Sequence, residues 1–152
     1  MAKFKFKLQT FLNVKEQIEK SVKIELGIAV QKFERQKVIL KEIQLEIENQ
    51  EKDYREEAIS GVTLSSLRNR IEYIHVMREN EISQKQRVNE EKRNVDKIRE
   101  RLIEIMKEKK VLEKLKEKEL ALFKKEQEKA TQLLVDELVT YNEAKKSTGD
   151  GI

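Results

Sequence analysis

The chain has no cysteine, no proline and no tryptophan in 152 residues, only four glycines, and aromatic residues make up just 5% of it. Each absence closes a class of explanation. Without cysteine there is no disulfide framework, no thiolate nucleophile and no zinc–thiolate site, which suits a cytoplasmic protein. Without proline, no residue is barred from a helix interior. With 38% hydrophobic against 41% charged residues, the bulky apolar side chains that fill a thick globular core are missing. Nowhere does the chain offer the roughly 20 consecutive apolar residues of a membrane span. At the N-terminus, "MAKFKFKLQTFLNVKEQ", the lysines at 3, 5, 7 and 15 leave no continuous hydrophobic region for a signal peptide, so a soluble chain is expected.

What is present is charge of both signs. The 33 basic and 29 acidic residues nearly cancel to a net +4, which separates the chain from the strongly one-signed sequences that stay unfolded. Leu, Ile, Lys, Glu and Gln dominate, and these residues favour or tolerate helix. In the first half Leu26, Ala29, Phe33, Gln36, Leu40, Ile43, Ile47, Gln50 and Tyr54 recur with steps alternating three and four. That spacing keeps one seam facing a partner helix in a left-handed coiled coil. Upstream, Leu8, Phe11, Ile18 and Val22 continue the stripe, Lys15 interrupts it, and the two four-residue steps Ile18 to Val22 to Leu26 read as a stutter. Gly27 within this stretch predicts a weak spot or a close helix approach, the latter favoured.

The longest uncharged run contains Ile59 to Leu67, "ISGVTLSSL", and divides the chain. Gly61 can adopt the left-handed conformation that closes a helix, and Thr63 or Ser65 can cap the next one. The second half resumes with Leu67, Ile71 and Ile74, thins to Ile82, Val88 and Val95, and recovers at Ile98, Leu102, Ile105, Leu112 and Leu115. A related stripe runs Leu120, Phe123, Ala130, Leu134, Leu138, Tyr141. The pattern predicts an all-α fold, a long antiparallel two-helix coiled coil with unequal arms. A single hairpin spans 1–152, with helix 1 over about 4–59, a turn over about 60–66, helix 2 over about 67–145 and a frayed tail over 146–152. Folding about Val62 pairs residue i with about 125 minus i. Helix 2, about 120 Å long at 1.5 Å per residue, then overhangs by about 30 Å. An overhang carrying Phe123, Leu133, Leu134, Leu138 and Tyr141 is an unfinished interface.

No constellation supports catalysis, a cofactor or a metal centre. His75, the one histidine, lies among Ile74, Val76 and Met77 and reads as a seam or flank residue rather than a base or ligand. The carboxylates interleave with Lys and Arg at helical spacing, as solvated faces do. There is no GxxxxGK loop. Nucleic-acid binding is disfavoured because acidic residues punctuate the basic runs and no aromatics interleave for stacking. The N-terminal "KFKFKL" could touch an anionic membrane, but a helix start whose Phe4, Leu8 and Phe11 pack on the second arm is preferred.

Two blocks carry a family resemblance. The N-terminal "KFKFKLQTFLNVKEQIEKSVKIELGIAV" resembles the opening of the flagellar FliJ family, with alternating Phe and basic residues followed by Leu-Gln and a further Leu. The C-terminal "VLEKLKEKELALFKKEQEKATQLLVDELVTYN" is similar to that family's closing signature, departing from it at Val139, where a small residue is usual. Together the blocks cover about 60 of the 152 residues. The resemblance implies a non-enzymatic component of the flagellar type III protein-export apparatus, serving flagellum biogenesis and motility. It implies a central stalk that enters the hexameric ring of the export ATPase, promotes its assembly and activity, and contacts the cytoplasmic domain of the export gate and export chaperones.

On that resemblance the ring contacts are Phe4, Phe6, Leu8 and Phe11 with Leu133, Leu134, Asp136, Glu137 and Leu138, although the N-terminal four can equally close the coiled coil. The export-gate contacts are Gln50, Tyr54, Tyr73 and Met77, which can equally be seam residues. The expected location is cytoplasmic, peripheral at the inner membrane of the flagellar base, with a monomeric hairpin when free. A structural homodimeric or cytoskeletal coiled coil is the alternative, and a basic nucleic-acid- or membrane-surface-binding coiled coil a further one.

Overall fold

The computed structural model describes residues 2–149. It is an all-α helical hairpin, with α1 at Gln9–Ser60 and α2 at Leu64–Gly149 packed against each other and no strand among the described residues. The turn is shorter than the uncharged run allowed, Gly61 to Thr63. Gly61 is the one residue with positive φ, at 85°, among those described. Its N–H and that of Val62 both donate to the Glu57 carbonyl, at 3.1 and 3.3 Å, which closes α1. Thr63 caps α2, its Oγ1 accepting from the Ser66 N–H at 3.4 Å.

Helix 1 starts at Gln9 and not near residue 4. Residues 2–6 have no regular secondary structure, and Lys7 and Leu8 form a turn that leads into α1. The cause is the period-two alternation of "KFKFKL": on a helix, residues two apart point about 200° apart, so Phe4, Phe6 and Leu8 could not share a face. A non-helical backbone lets them. Phe6 is buried, Phe4 and Leu8 are half-buried, and Lys3, Lys5 and Lys7 are all exposed. At the other end α2 continues helical through Gly149, past the expected limit near 145; the remainder of the expected frayed tail, 150–152, lies outside the described residues.

The seam is more regular than the sequence suggested. From Leu8 through α1 the covered positions include Leu8, Leu12, Lys15, Glu19, Val22, Leu26, Ala29, Phe33, Gln36, Leu40, Ile43, Ile47, Gln50 and Tyr54, an unbroken alternation of four and three. The expected stutter is therefore absent. Phe11 and Ile18 lie off the seam, at 62% and 36% exposure, and Leu12 and Glu19 take their places. Two charged residues are tolerated there because each finds a partner. Lys15 Nζ lies 2.5 Å from Glu108 Oε2, and Glu19 Oε1 lies 3.0 Å from Lys23 Nζ.

On α2 the same alternation runs Leu67, Arg70, Ile74, Met77, Glu81, Gln84, Val88, Glu91, Val95, Ile98, Leu102, Ile105, Lys109, Leu112, Lys116, Glu119 and Phe123. Ile71, Ile82 and Leu115, expected on the stripe, are exposed. Helix-to-helix contacts such as Phe4–Phe123, Lys15–Glu108 and Gln36–Gln84 follow the expected pairing of i with about 125 minus i. Gly27 is exposed, and a Cβ built there meets nothing within 4 Å, so no close helix approach explains it.

The described residues pack as two compact units. A terminal unit joins the chain up to Gln17 with the chain from Ile105 onward, and a turn unit comprises Ile18–Glu104.

Candidate functional site

In the terminal unit, the pairing of α2 ends at an aromatic contact. The Phe4 and Phe123 rings lie 5.6 Å apart, tilted by 51°. Beyond Phe123 every described residue of α2 is exposed. The seam pattern also stops. Continued in heptads past Phe123 it would fall on Glu126, Ala130, Leu133, Glu137 and Thr140, whereas the apolar residues sit at Ala130, Leu133, Leu134, Val135, Leu138, Val139 and Tyr141.

Placed at 100° per residue, those seven side chains span about 240° of the helix circumference. Glu137 is the one charge within that arc. Leu133, Leu134, Leu138 and Tyr141 are each more than 60% exposed, and Val135 and Val139 about half exposed. A helix that is apolar over most of its girth is normally a buried helix. This one is bare. It is also a stretch without cations: between Lys129 and Lys145 the acids Asp136, Glu137 and Glu143 occur and no Lys or Arg. Asp136 accepts from Gln132 Nε2 at 3.1 Å, an interaction within the helix surface.

The sequence-expected ring contacts thus divide. Leu133, Leu134, Asp136, Glu137 and Leu138 share the exposed C-terminal stretch. Phe4, Phe6 and Leu8 are largely covered, while Phe11 stands out from the flank and lines an open groove with Leu8, Lys15, Glu108, Val111 and Leu112.

The four expected gate contacts lie in the turn unit. Gln50, Tyr54 and Met77 occupy seam positions and are half-buried; Tyr73 is exposed, its hydroxyl 3.4 Å from Glu46 Oε1. Gln50 is held from both sides, donating to Glu46 Oε1 at 3.0 Å and accepting from Arg70 at 2.5 Å. Sequence reading passed over Arg70, which is the hub here. Its guanidinium also binds Glu57 and lies 3.6 Å from Asp53, and the hydrogen bond to Glu57 holds its pKa above the ordinary arginine value. The available signal was an arginine at a seam position opposite acids on the facing turn. His75 is exposed, with Nε2 3.2 Å from Glu79, and no group of potential metal ligands occurs among the described residues.

Among the described residues, no helix is long and apolar enough to cross a membrane. No curated protein and no solved structure matches the chain. A family model described as "Flagellar FliJ protein" matches residues 4–148, nearly the whole chain. The match takes in both the non-helical N-terminal segment from Phe4 and the bare C-terminal helix, and on it the chain belongs to the flagellar FliJ protein family, a family of flagellar export-related proteins.

Proposed function

We propose that the chain is a non-enzymatic stalk of the flagellar protein-export apparatus, which inserts the exposed end of α2 into the hexameric ring of the export ATPase and promotes its assembly and turnover. The observation that carries this reading is the apolar arc of about 240° on residues 130–141, all of them exposed. A one-sided groove would cover only part of such an arc. A socket that surrounds the helix covers it all, and a ring offers one.

The same geometry weighs against the homodimeric coiled coil. The heptad seams of α1 and α2 are satisfied within one chain, and the overhang departs from heptad spacing after Phe123. From Phe123 to Tyr141 is 18 residues, about five turns of an unsupercoiled helix. That period suits a straight plug better than a supercoiled partner. In this reading Phe4, Phe6 and Leu8 brace the base of the plug, and Leu133, Leu134, Asp136, Glu137 and Leu138 meet the ring. Contacts with the export gate and with export chaperones, at the cytoplasmic face of the inner membrane, complete the role. Tyr73 is the most accessible of the four gate residues.

The test is to mix the purified chain with its cognate flagellar export ATPase and follow hexamer content and ATP turnover. Both should rise with the full chain, and truncation after Lys129 should abolish the effect. A full chain that changes neither quantity contradicts the stalk reading.

A further inference from the structure

The non-helical N-terminal segment presents a feature that a helical start would not have. Burial alternates residue by residue from 3 to 8, so Lys3, Lys5 and Lys7 form an exposed row beside the covered Phe4, Phe6 and Leu8. All three lysines are exposed, and none pairs with a carboxylate among the described residues. The Phe4–Phe123 contact fixes this row at the level of α2 where Lys124 and Lys125 follow, immediately below the bare helix.

The charge balance of the chain is divided in the same sense. Residues 18–104 hold 18 basic and 18 acidic side chains, so the turn unit is neutral; the terminal unit holds the other 15 basic and 11 acidic ones, which is the whole net charge of +4. Within the terminal unit the sign changes along the helix. Lysines crowd up to Lys129, and residues 130–144 carry three acids and no cation.

We propose that Lys3, Lys5 and Lys7, with Lys124 and Lys125, form a basic collar that meets carboxylates at the mouth of the ring and steers the bare helix into it. This rests on the stalk reading and names the chemistry of the surface the ring must offer: an acidic rim outside an apolar bore. Charge at the edge of an interface acts on the rate of encounter more than on the lifetime of the complex. A second copy of this chain is a poor occupant, because like collars repel. An anionic membrane is the less favoured occupant, because Phe6 is buried and Phe4 and Leu8 half-buried, so the row itself offers charge without a fully free apolar anchor.

The experiment measures association and dissociation rates of the full chain with the cognate export ATPase over a range of salt, for the wild type and the K3Q/K5Q/K7Q variant. The substitutions spare Phe4, Phe6 and Leu8. The variant should associate on the order of tenfold more slowly at low salt, with a shallower salt dependence and a dissociation rate unchanged within about twofold. The K3R/K5R/K7R variant should keep the wild-type rate. Equal association rates for wild type and the glutamine variant overturn the collar and leave the stalk reading standing. So does an arginine variant as slow as the glutamine one, which points to packing and not charge. Unchanged ATPase kinetics together with lost binding to phosphatidylglycerol–phosphatidylcholine vesicles reassigns the row to the membrane. A wild type that does not bind the ATPase at all removes the stalk reading and the collar with it.

Discussion

Phe4 and Phe123 meet at 5.6 Å, and that contact marks where α2 stops being half of a hairpin and becomes a helix with no partner. Phe4 comes from non-helical backbone and Phe123 from a seam position, so one side chain anchors the N-terminal segment and ends the coiled coil. Phe4→Ala should destabilise the terminal unit by about 1–2 kcal/mol, from half-buried apolar area and the lost ring pair. Hydrogen exchange should speed up over residues 2–12 while amides near the turn keep their protection. Uniform loss of protection throughout both helices would contradict a local anchor.

Adjacent residues at the start of α1 have opposite roles. Leu12 is 3% exposed and Phe11 62%. Leu12→Ala should therefore cost about 2–4 kcal/mol. Phe11→Ala should cost under about 1 kcal/mol despite removing the larger side chain. Thermal or denaturant unfolding of the two variants side by side checks the seam; the reverse order would restore the stripe through Phe11 and Ile18.

Two glycines should respond in opposite directions to the same change. Gly27 sits in the α1 interior with open space around it, so Gly27→Ala should stabilise by about 0.5–1 kcal/mol through helix propensity. Gly61 holds φ at 85°, where a Cβ is strained, and Gly61→Ala should destabilise by about 1 kcal/mol. Denaturation midpoints of both variants decide the matter. A destabilising Gly27→Ala would mean that something packs there.

The centre of the seam is polar by construction. Gln84 is 3% exposed, and its Nε2 donates to the Gln36 backbone carbonyl at 3.0 Å and to Gln36 Oε1 at 2.6 Å. Polar residues at seam positions lower stability while specifying which positions pair. Gln36→Leu with Gln84→Leu should raise the melting temperature by several degrees, about 1–2 kcal/mol. Gln84→Ala alone should lower it, since it opens a void and leaves Gln36 without its donor. Calorimetry of the pair and the single variant tests both signs.

The contrast between Phe11 and Leu12 also shows what could be read from the sequence. From Leu26 to Tyr54 apolar residues or Gln occupy nearly every seam position, and periodicity alone found them. The turn was equally legible, because Gly61 and Thr63 have specific backbone uses. Upstream of Val22 the seam carries Lys15 and Glu19, so a reader following hydrophobicity moves to Phe11 and Ile18 and sees a stutter. On α2 the seam includes Arg70, Glu81, Gln84, Glu91, Lys109, Lys116 and Glu119, polar residues that only cross-helix partners or aliphatic stems make tolerable. The non-helical start is not legible to a reading that continues the helix through "KFKFKL", whose alternation has period two. Of the candidate site, the C-terminal members were legible as an unfinished stripe. The distinction between Phe4 and Phe6, which are covered, and Phe11, which is not, required the backbone.

The central claim is that residues 130–141 are enclosed by a partner, and hydrogen exchange of the full chain with and without its cognate export ATPase tests it most directly. Amides of the bare helix, solvent-facing on all sides when free, should gain protection between about Lys124 and Lys145, together with the segment around Phe4. Protection that instead appears only in the turn unit, with residues 130–141 exchanging as fast as before, would contradict the account.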